Sequence, residues 1–245
     1  MAEFSTTSFL LATRPRFFHK PPMPNPSDLQ ASIIPVTPFQ QNTTLLWSQA
    51  TKEAVFVDPG GEVPRLLGAV KHLGVKVVAI WLTHGHLDHA GGAQELSRTL
   101  GVDIIGPHED DQWLLDDIVA QWAKYGQTTG YENCVPTRYL KDGDKLELAG
   151  HQFDVVHCPG HTPGHVAIIN KDAKLAFVGD LLFKGSIGRT DFPKGSFDDL
   201  VASITGKLWP YGDDIHFVPG HGEIGNFGWE RKTNPYVSDL ALGRG

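Results

Sequence analysis

The stretch "THGHLDHAGG", Thr83–Gly92, follows directly on the apolar run "VKVVAIWL", residues 75–82. It sets His84, His86, Asp88 and His89 within six residues, between a buried strand and a helix. In an extended loop, positions 84, 86 and 88 project one way, and His89 opens the next turn. Four nitrogen and oxygen donors are enough for one metal ion. With no thiolate among them they suit zinc, iron or manganese rather than a cysteine-type structural zinc site. Chance assembly of H-x-H-x-D-H behind a buried strand is improbable, so the spacing itself points to metal chemistry.

Later apolar runs end on similar donors. These are His161 in "CPGHTPGH", Asp180 in "FVGDLLF" and His221 in "FVPGHGE". Pro and Gly around them shape loops in which a side chain can turn inward. Donors gathered from several strand ends describe an active site more than a local clip. The other histidines carry less. His72, His108, His151 and His216 read as ordinary surface or hydrogen-bonded residues. His157 and His165 flank the His161 loop and fit the role of partners that orient a ligand.

Around these motifs, "SIIPV", "NTTLLWS", "EAVFVD" and "VDIIG" read as strands. Residues 63–74 read as a helix stopped by Gly74, and "AQELSRTLG" as a second helix. Residues 108–126 read as one acidic-headed helix, and residues 126–137 as a loop. Four strand-like runs occupy 144–180, and "SFDDLVASITGKLW", residues 196–209, reads as a helix capped by Ser196. Strand–helix alternation implies parallel pairs, and the 144–180 run implies an antiparallel meander. Two mixed sheets packed face to face, with helices outside, would bury this pattern, as would other α/β arrangements.

The 245 residues, 40% apolar and 20% charged, suffice for one domain with a core. A net charge of -7 with no basic run argues against a nucleic-acid partner. No apolar stretch reaches the ~18 residues of a membrane span. Two cysteines, Cys134 and Cys158, form no disulfide framework, which suggests a cytoplasmic setting. Residues 1–30, basic and Pro-rich, are expected to form a poorly ordered tail. It would be a leader, a tag or a misassigned start, with Met23 as the true one. The domain would then be 31–245.

Taken together, "THGHLDH", "PGHTPGH", "FVGD" and "PGHG" resemble the metallo-β-lactamase superfamily over residues 31 to 238. The resemblance implies an αββα sandwich with a two-metal site at one edge of the sheets. His84, His86 and His161 would hold one divalent ion, Asp88, His89 and His221 a second, and Asp180 would bridge them. Zinc is the first candidate, with iron or manganese open. "LLFKGSIGRTDFPKG" and "GWERKTNPYV" narrow the likeness to the glyoxalase II-like hydroxyacylglutathione hydrolases, in a short form. Only 24 residues follow His221, too few for the helical domain with which long forms help bind glutathione.

This likeness implies hydrolysis of a thioester, S-D-lactoylglutathione in particular, by hydroxide that Asp88 holds and orients. Arg189 would meet a substrate carboxylate, since a guanidinium binds one through two hydrogen bonds. Arg231 and Lys232 are further candidates. The ordinary alternative for Arg189 is an ion pair with Asp191. Cys158 reads as packing rather than as a nucleophile. Rival readings are a mononuclear-iron persulfide dioxygenase, a lactonase or weak β-lactamase, and a metal-binding module without activity.

Overall fold

The computed structural model describes residues 25–244. The first sheet has the order β1 (Leu29–Val36), β2 (Gln41–Ser48), β3 (Glu53–Val57), β4 (Lys76–Trp81) and β5 (Asp103–Ile105). Its first three strands are antiparallel, and β3, β4 and β5 are parallel. The second sheet begins with β6 (Lys145–Leu148), β7 (His151–His157), β8 (Val166–Asn170) and β9 (Leu175–Gly179), the expected meander. A small hairpin follows, β10 (Leu182–Phe183) with β11 (Ser186–Ile187). Then β12 (His216–Pro219) adds parallel to β9, and β13 (Gly225–Asn226) closes the edge.

The strand runs are continuously apolar because each sheet is covered on both sides. In β3, Val55 and Val57 face the second sheet, where Phe153, Ile168 and Phe177 join the same core. Ala54 and Phe56 alternate to the other face and meet helices α1 (Val63–Leu73), α3 (Ala93–Leu100) and α5 (Ile118–Lys124), between which lie the short helices α2 (Leu87–Ala90) and α4 (Gln112–Leu115). In β8, Ala167 and Ile169 likewise meet α6 (Phe197–Ser203) and α7 (Phe227–Thr233). This is the αββα sandwich. The expected helix end at Gly74 is present, with left-handed φ of 62°, and Ser196 caps α6 by accepting from the Asp199 amide.

Three expectations are corrected. Residues 108–126 are not one helix. A tight turn at Glu109–Asp111, α4 and α5 replace it. The break is held by Asn133, whose amide donates to the Asp116 carbonyl and accepts from the Val119 amide. The chain after α6 does not continue as α-helix to Trp209; it widens to a π-turn at Ile204–Leu208 and tightens at Trp209–Tyr211. Order begins before residue 31: β1 starts at Leu29, and Asp28 bonds Ser48 and the Ala50 amide. Residues 1–24, where the rest of the expected tail falls, lie outside the described residues.

Candidate active site

All the donors follow strand ends at one edge of the sandwich. The loop after β4 carries His84 and His86 and runs into α2, which holds Asp88 and His89. His161 follows β7, Asp180 follows β9 and His221 follows β12. Strands β7, β9 and β12 point the same way, since β7 and β9 are each antiparallel to β8 and β12 is parallel to β9. Backbone bonds join the sheets here: Asn42 donates to the Gly220 carbonyl, and Gln41 pairs with His221.

The donors meet in two groups. His86 Nδ1 lies 3.1 Å from His84 Nε2 and 2.9 Å from His161 Nε2. His221 Nε2 lies 3.2 Å from Asp88 Oδ2, and His89 Nε2 lies 4.0 Å from the same oxygen. Asp180 stands between the groups, with Oδ2 3.6 Å from His161 and 3.7 Å from His221, and Oδ1 3.3 Å from His89.

The surroundings fix which imidazole nitrogen faces inward. His89 Nδ1 donates to Asp58 Oδ2 at 2.9 Å, and His161 Nδ1 to the Arg189 carbonyl at 2.7 Å. His221 Nδ1 donates to the Phe39 carbonyl at 3.1 Å. Thr83 Oγ1 gives its proton to Asp58 and so accepts from His84 Nδ1. With Nδ1 bonded outward, each of these four rings turns its Nε2 toward the cluster.

This donor set fits divalent cations. Burial, and then the neighbouring imidazoles, push His84 and His86 below the usual histidine range, His86 to about 3. Burial likewise lowers His161. A neutral imidazole keeps one nitrogen lone pair that a cation can share. Burial opposes protonation of His89 as well, yet the carboxylates of Asp180 and Asp88 outweigh it and hold its pKa well above the usual value. Burial would raise Asp180, but His89, His161 and His221 hold it well below the ordinary carboxylate range. The second group therefore calls for positive charge. His89 Nε2 and Asp180 Oδ1 are buried with no hydrogen-bond partner among the described residues. Gly220 leaves the room: a Cβ there would stand 2.1 Å from Asp180 Oδ1 and 2.5 Å from His89 Cε1.

Two acids that the sequence did not single out hold the frame. Asp58, at the end of β3, accepts from the Thr83 amide at 2.7 Å, the Thr83 hydroxyl at 2.6 Å and His89. Asp111 accepts from the Gly85 amide, the Thr162 hydroxyl and the Gly164 amide, tying the His84 loop to the His161 loop. Burial raises its pKa to about 6 against those three bonds. A lone acid at a strand end in "FVDPGG" and one in "HEDD" give no spacing signal. His165 stacks on His84 at 4.5 Å and accepts from the Asp180 amide, an orienting position. His157 donates to the Pro163 carbonyl within the His161 loop and stacks on His108, which lies beside Asp110.

A cavity of about 700 Å³ opens above the cluster. His86, Asp88, His161, Asp180 and His221 are among the residues that line it, with Leu87, Leu114 and Phe192 among its apolar surfaces. Arg189 lines it too, laid over Phe192 at 4.5 Å and paired with Asp191 through two bonds of 2.9 and 2.8 Å. Phe192 in turn packs edge-on to His86. Arg231 and Lys232 are elsewhere. Arg231 donates to Asp239 and lines a separate recess with Trp209 and Arg244. Lys232 is exposed on α7, away from this cavity. The substrate role expected of Arg231 and Lys232 does not fit this placement, because α7 packs against the C-terminal turns and neither side chain lines the cavity. Cys158 is fully buried, its thiol pushed up to about 12 by burial, which suits packing.

Known proteins share this arrangement. Residues 36–221 match the metallo-beta-lactamase superfamily. The hydroxyacylglutathione hydrolase GloC of Haemophilus influenzae is 42% identical over 86% of this chain and 99% of its own. The probable metallo-hydrolase YqgX of Bacillus subtilis is 33% identical over 85% and 98%. The crystal structure of the BLEG-1 B3 metallo-beta-lactamase superposes with a TM-score of 0.78 at 32% identity, covering 85% of this chain and 99% of that one. TTHA1623 in a di-iron-bound form gives 0.75 at 33%, covering 84% and 100%. Fold, donor clusters and these likenesses agree: the chain belongs to the metallo-β-lactamase superfamily of metal-dependent hydrolases.

Proposed function

We propose that the protein is a thioesterase that cleaves S-D-lactoylglutathione to D-lactate and glutathione. The observation that carries this reading is the meeting of seven His and Asp donors at a cavity with apolar walls and cations along its lining. The likeness to GloC supports the substrate class. In this reading His84, His86 and His161 would hold one divalent ion and Asp88, His89 and His221 a second, with Asp180 a donor to both groups. Zinc is the first candidate; manganese suits the same donors, and the di-iron form of TTHA1623 supports iron as another occupant. Divalent ions bound there supply Lewis acidity, which lowers the pKa of water and polarises the thioester carbonyl.

The chain's own residues do the rest. Asp88 accepts a hydrogen bond from the attacking water and aims it, while His221 steadies the Asp88 carboxylate from 3.2 Å. Burial opposes ionisation of Asp88, but His89 and His221 keep it a carboxylate at neutral pH. The Arg189 carbonyl holds His161 in place from outside the cluster. A thiolate departs without a general acid, since thiols ionise near pH ~8.5, and no cysteine or serine nucleophile is needed. Buried, free Cys134 and Cys158 suit a reducing cytoplasm.

The test is hydrolysis of S-D-lactoylglutathione by purified protein of measured metal content. Thioester cleavage that a chelator abolishes and a divalent metal restores supports the reading; no cleavage by metal-loaded protein overturns it. The likeness to the BLEG-1 B3 metallo-beta-lactamase favours a second reading, β-lactam hydrolysis, which a chromogenic cephalosporin would reveal.

A further inference from the structure

One wall of the cavity lies outside the family motifs. The chain from Gln112 to Tyr125 runs along it as α4 and α5. Trp113 and Leu114 of α4 line the cavity, as do Asp117, which caps α5, and Gln121 and Lys124, which follow it at steps of four and three residues on one face of α5. The opposite stripe, Leu115, Ile118 and Trp122, is buried in the core. The wall is graded. At its inner end Leu114 packs against Gly85, between His84 and His86, where an added Cβ would come within 3.0 Å of Leu114 Cβ. At its outer end Tyr125 packs edge-on to Phe39 at 5.2 Å and lines the same cavity as Arg189. Apolar side chains thus flank the donors, and charged ones flank the mouth.

The charges at the mouth are available. Many of the other surface cations have carboxylate partners, as in Arg98–Glu132 and Lys184–Glu223. Lys124 and Asp117 form no ion pair among the described residues. They stand about 10 Å apart along the helix axis, seven residues at ~1.5 Å each. Among the described residues Arg189 forms an ion pair with Asp191 alone, and both side chains are 67% exposed, so water screens that pair and a ligand carboxylate can replace it. The mouth therefore offers two cations and one unpaired carboxylate. A thiol with two carboxylates and one ammonium has the complementary pattern, and glutathione is such a thiol.

We propose that this face of α5 recognises the thiol half of the substrate, with Lys124 and Arg189 taking its two carboxylates and Asp117 its ammonium. The proposal rests on the thioesterase reading and assigns the binding of the leaving group to a helix within the sandwich itself.

The experiment compares three lactoyl thioesters: that of glutathione, that of N-acetylglutathione, which lacks the ammonium, and that of the neutral thiol 2-mercaptoethanol. Lys124→Met should raise KM for the glutathione thioester about tenfold with kcat within about twofold, because uniform binding is lost. The preference for glutathione over the neutral thioester, as a ratio of kcat/KM, should fall by the same factor. Asp117→Asn should raise KM for the glutathione thioester and leave that of the N-acetyl derivative unmoved. Circular dichroism verifies folding, and both side chains lie at the cavity rather than in the core. Unchanged KM in both folded variants, or a wild type that shows no preference for glutathione over the neutral thiol, overturns the assignment while leaving thioester hydrolysis standing. A metal-loaded wild type that cleaves none of the three overturns the thioesterase reading and this assignment together.

Discussion

Asp58 never touches the cavity, yet its replacement by asparagine should disturb the metal centre. The carboxylate accepts three bonds, from the Thr83 amide, the Thr83 hydroxyl and His89 Nδ1, all within 2.9 Å and all buried. Each bond to a charged acceptor is worth ~1.5–3 kcal/mol. Asparagine keeps one oxygen for the Thr83 amide and turns its NH₂ toward two donors. The hydroxyl can rotate to accept. His89 can accept only by moving its proton to Nε2, the nitrogen that faces Asp180 and Asp88. The net loss should be about 2–3 kcal/mol of folding free energy. At ~2–4 °C per kcal/mol for a chain of this size, Tm should fall by about 5–10 °C. Affinity of the Asp88–His89–His221 group for its ion should drop by ~10–100-fold, the usual effect of losing an orienting partner. Chelator competition and a melting curve on the same sample measure both. A folded Asp58→Asn protein with metal affinity and Tm within error of wild type would refute this role for the Asp58–His89 bond.

Three further outcomes follow from the same geometry. His84→Ala and His221→Ala each remove a donor from a different group, so metal content by mass spectrometry should drop from near two per chain toward one. Gly220→Ala drives a methyl into Asp180 and His89 and should lose metal, whereas Gly206→Ala, where an added Cβ meets nothing within 4 Å, should keep it. The two groups should release ions at different pH. His86, with a pKa near 3, and the lowered His84 and His161 stay unprotonated far below 6.5, so protons compete weakly for the first group. His89 and His221 are raised, so protons compete sooner for the second. As pH falls, dialysis should remove the ion at Asp88, His89 and His221 first; a single release centred near pH 6.5 would contradict this.

That these seven His and Asp side chains converge was legible because four are densely spaced and the others follow strand ends, a pattern that short-range reading captures. Continuous apolar runs such as those of β3 and β8 fit strands covered on both sides, but other α/β arrangements would bury them too; it was the motif resemblance that narrowed them to the αββα sandwich. What escaped depends on contacts distant in sequence. Asp58 meets Thr83 and His89 across two strands, and Asp111 meets Gly164 across 53 residues. The break between α4 and α5 comes from Asn133, seventeen residues beyond Asp116. Helix α7 is a seven-residue piece with Gly228 near its start, capped by Asn226, and propensity alone would not place it. Arg231 read as a substrate cation because it follows His221 closely in sequence, but α7 aims it at Asp213 and Asp239.

Asp88 tests the central claim most directly, since it alone is assigned both to hold metal and to aim the water. Asp88→Asn keeps its size and one oxygen but removes the charge that His221 and His89 face. The measurement is kcat on S-D-lactoylglutathione, with metal content and a melting curve from the same preparation. The account predicts a folded protein with a weakened second ion and a kcat lower by ~10²-fold or more, as when one preorganised electrostatic partner is lost. Near-normal turnover by folded Asp88→Asn would contradict it.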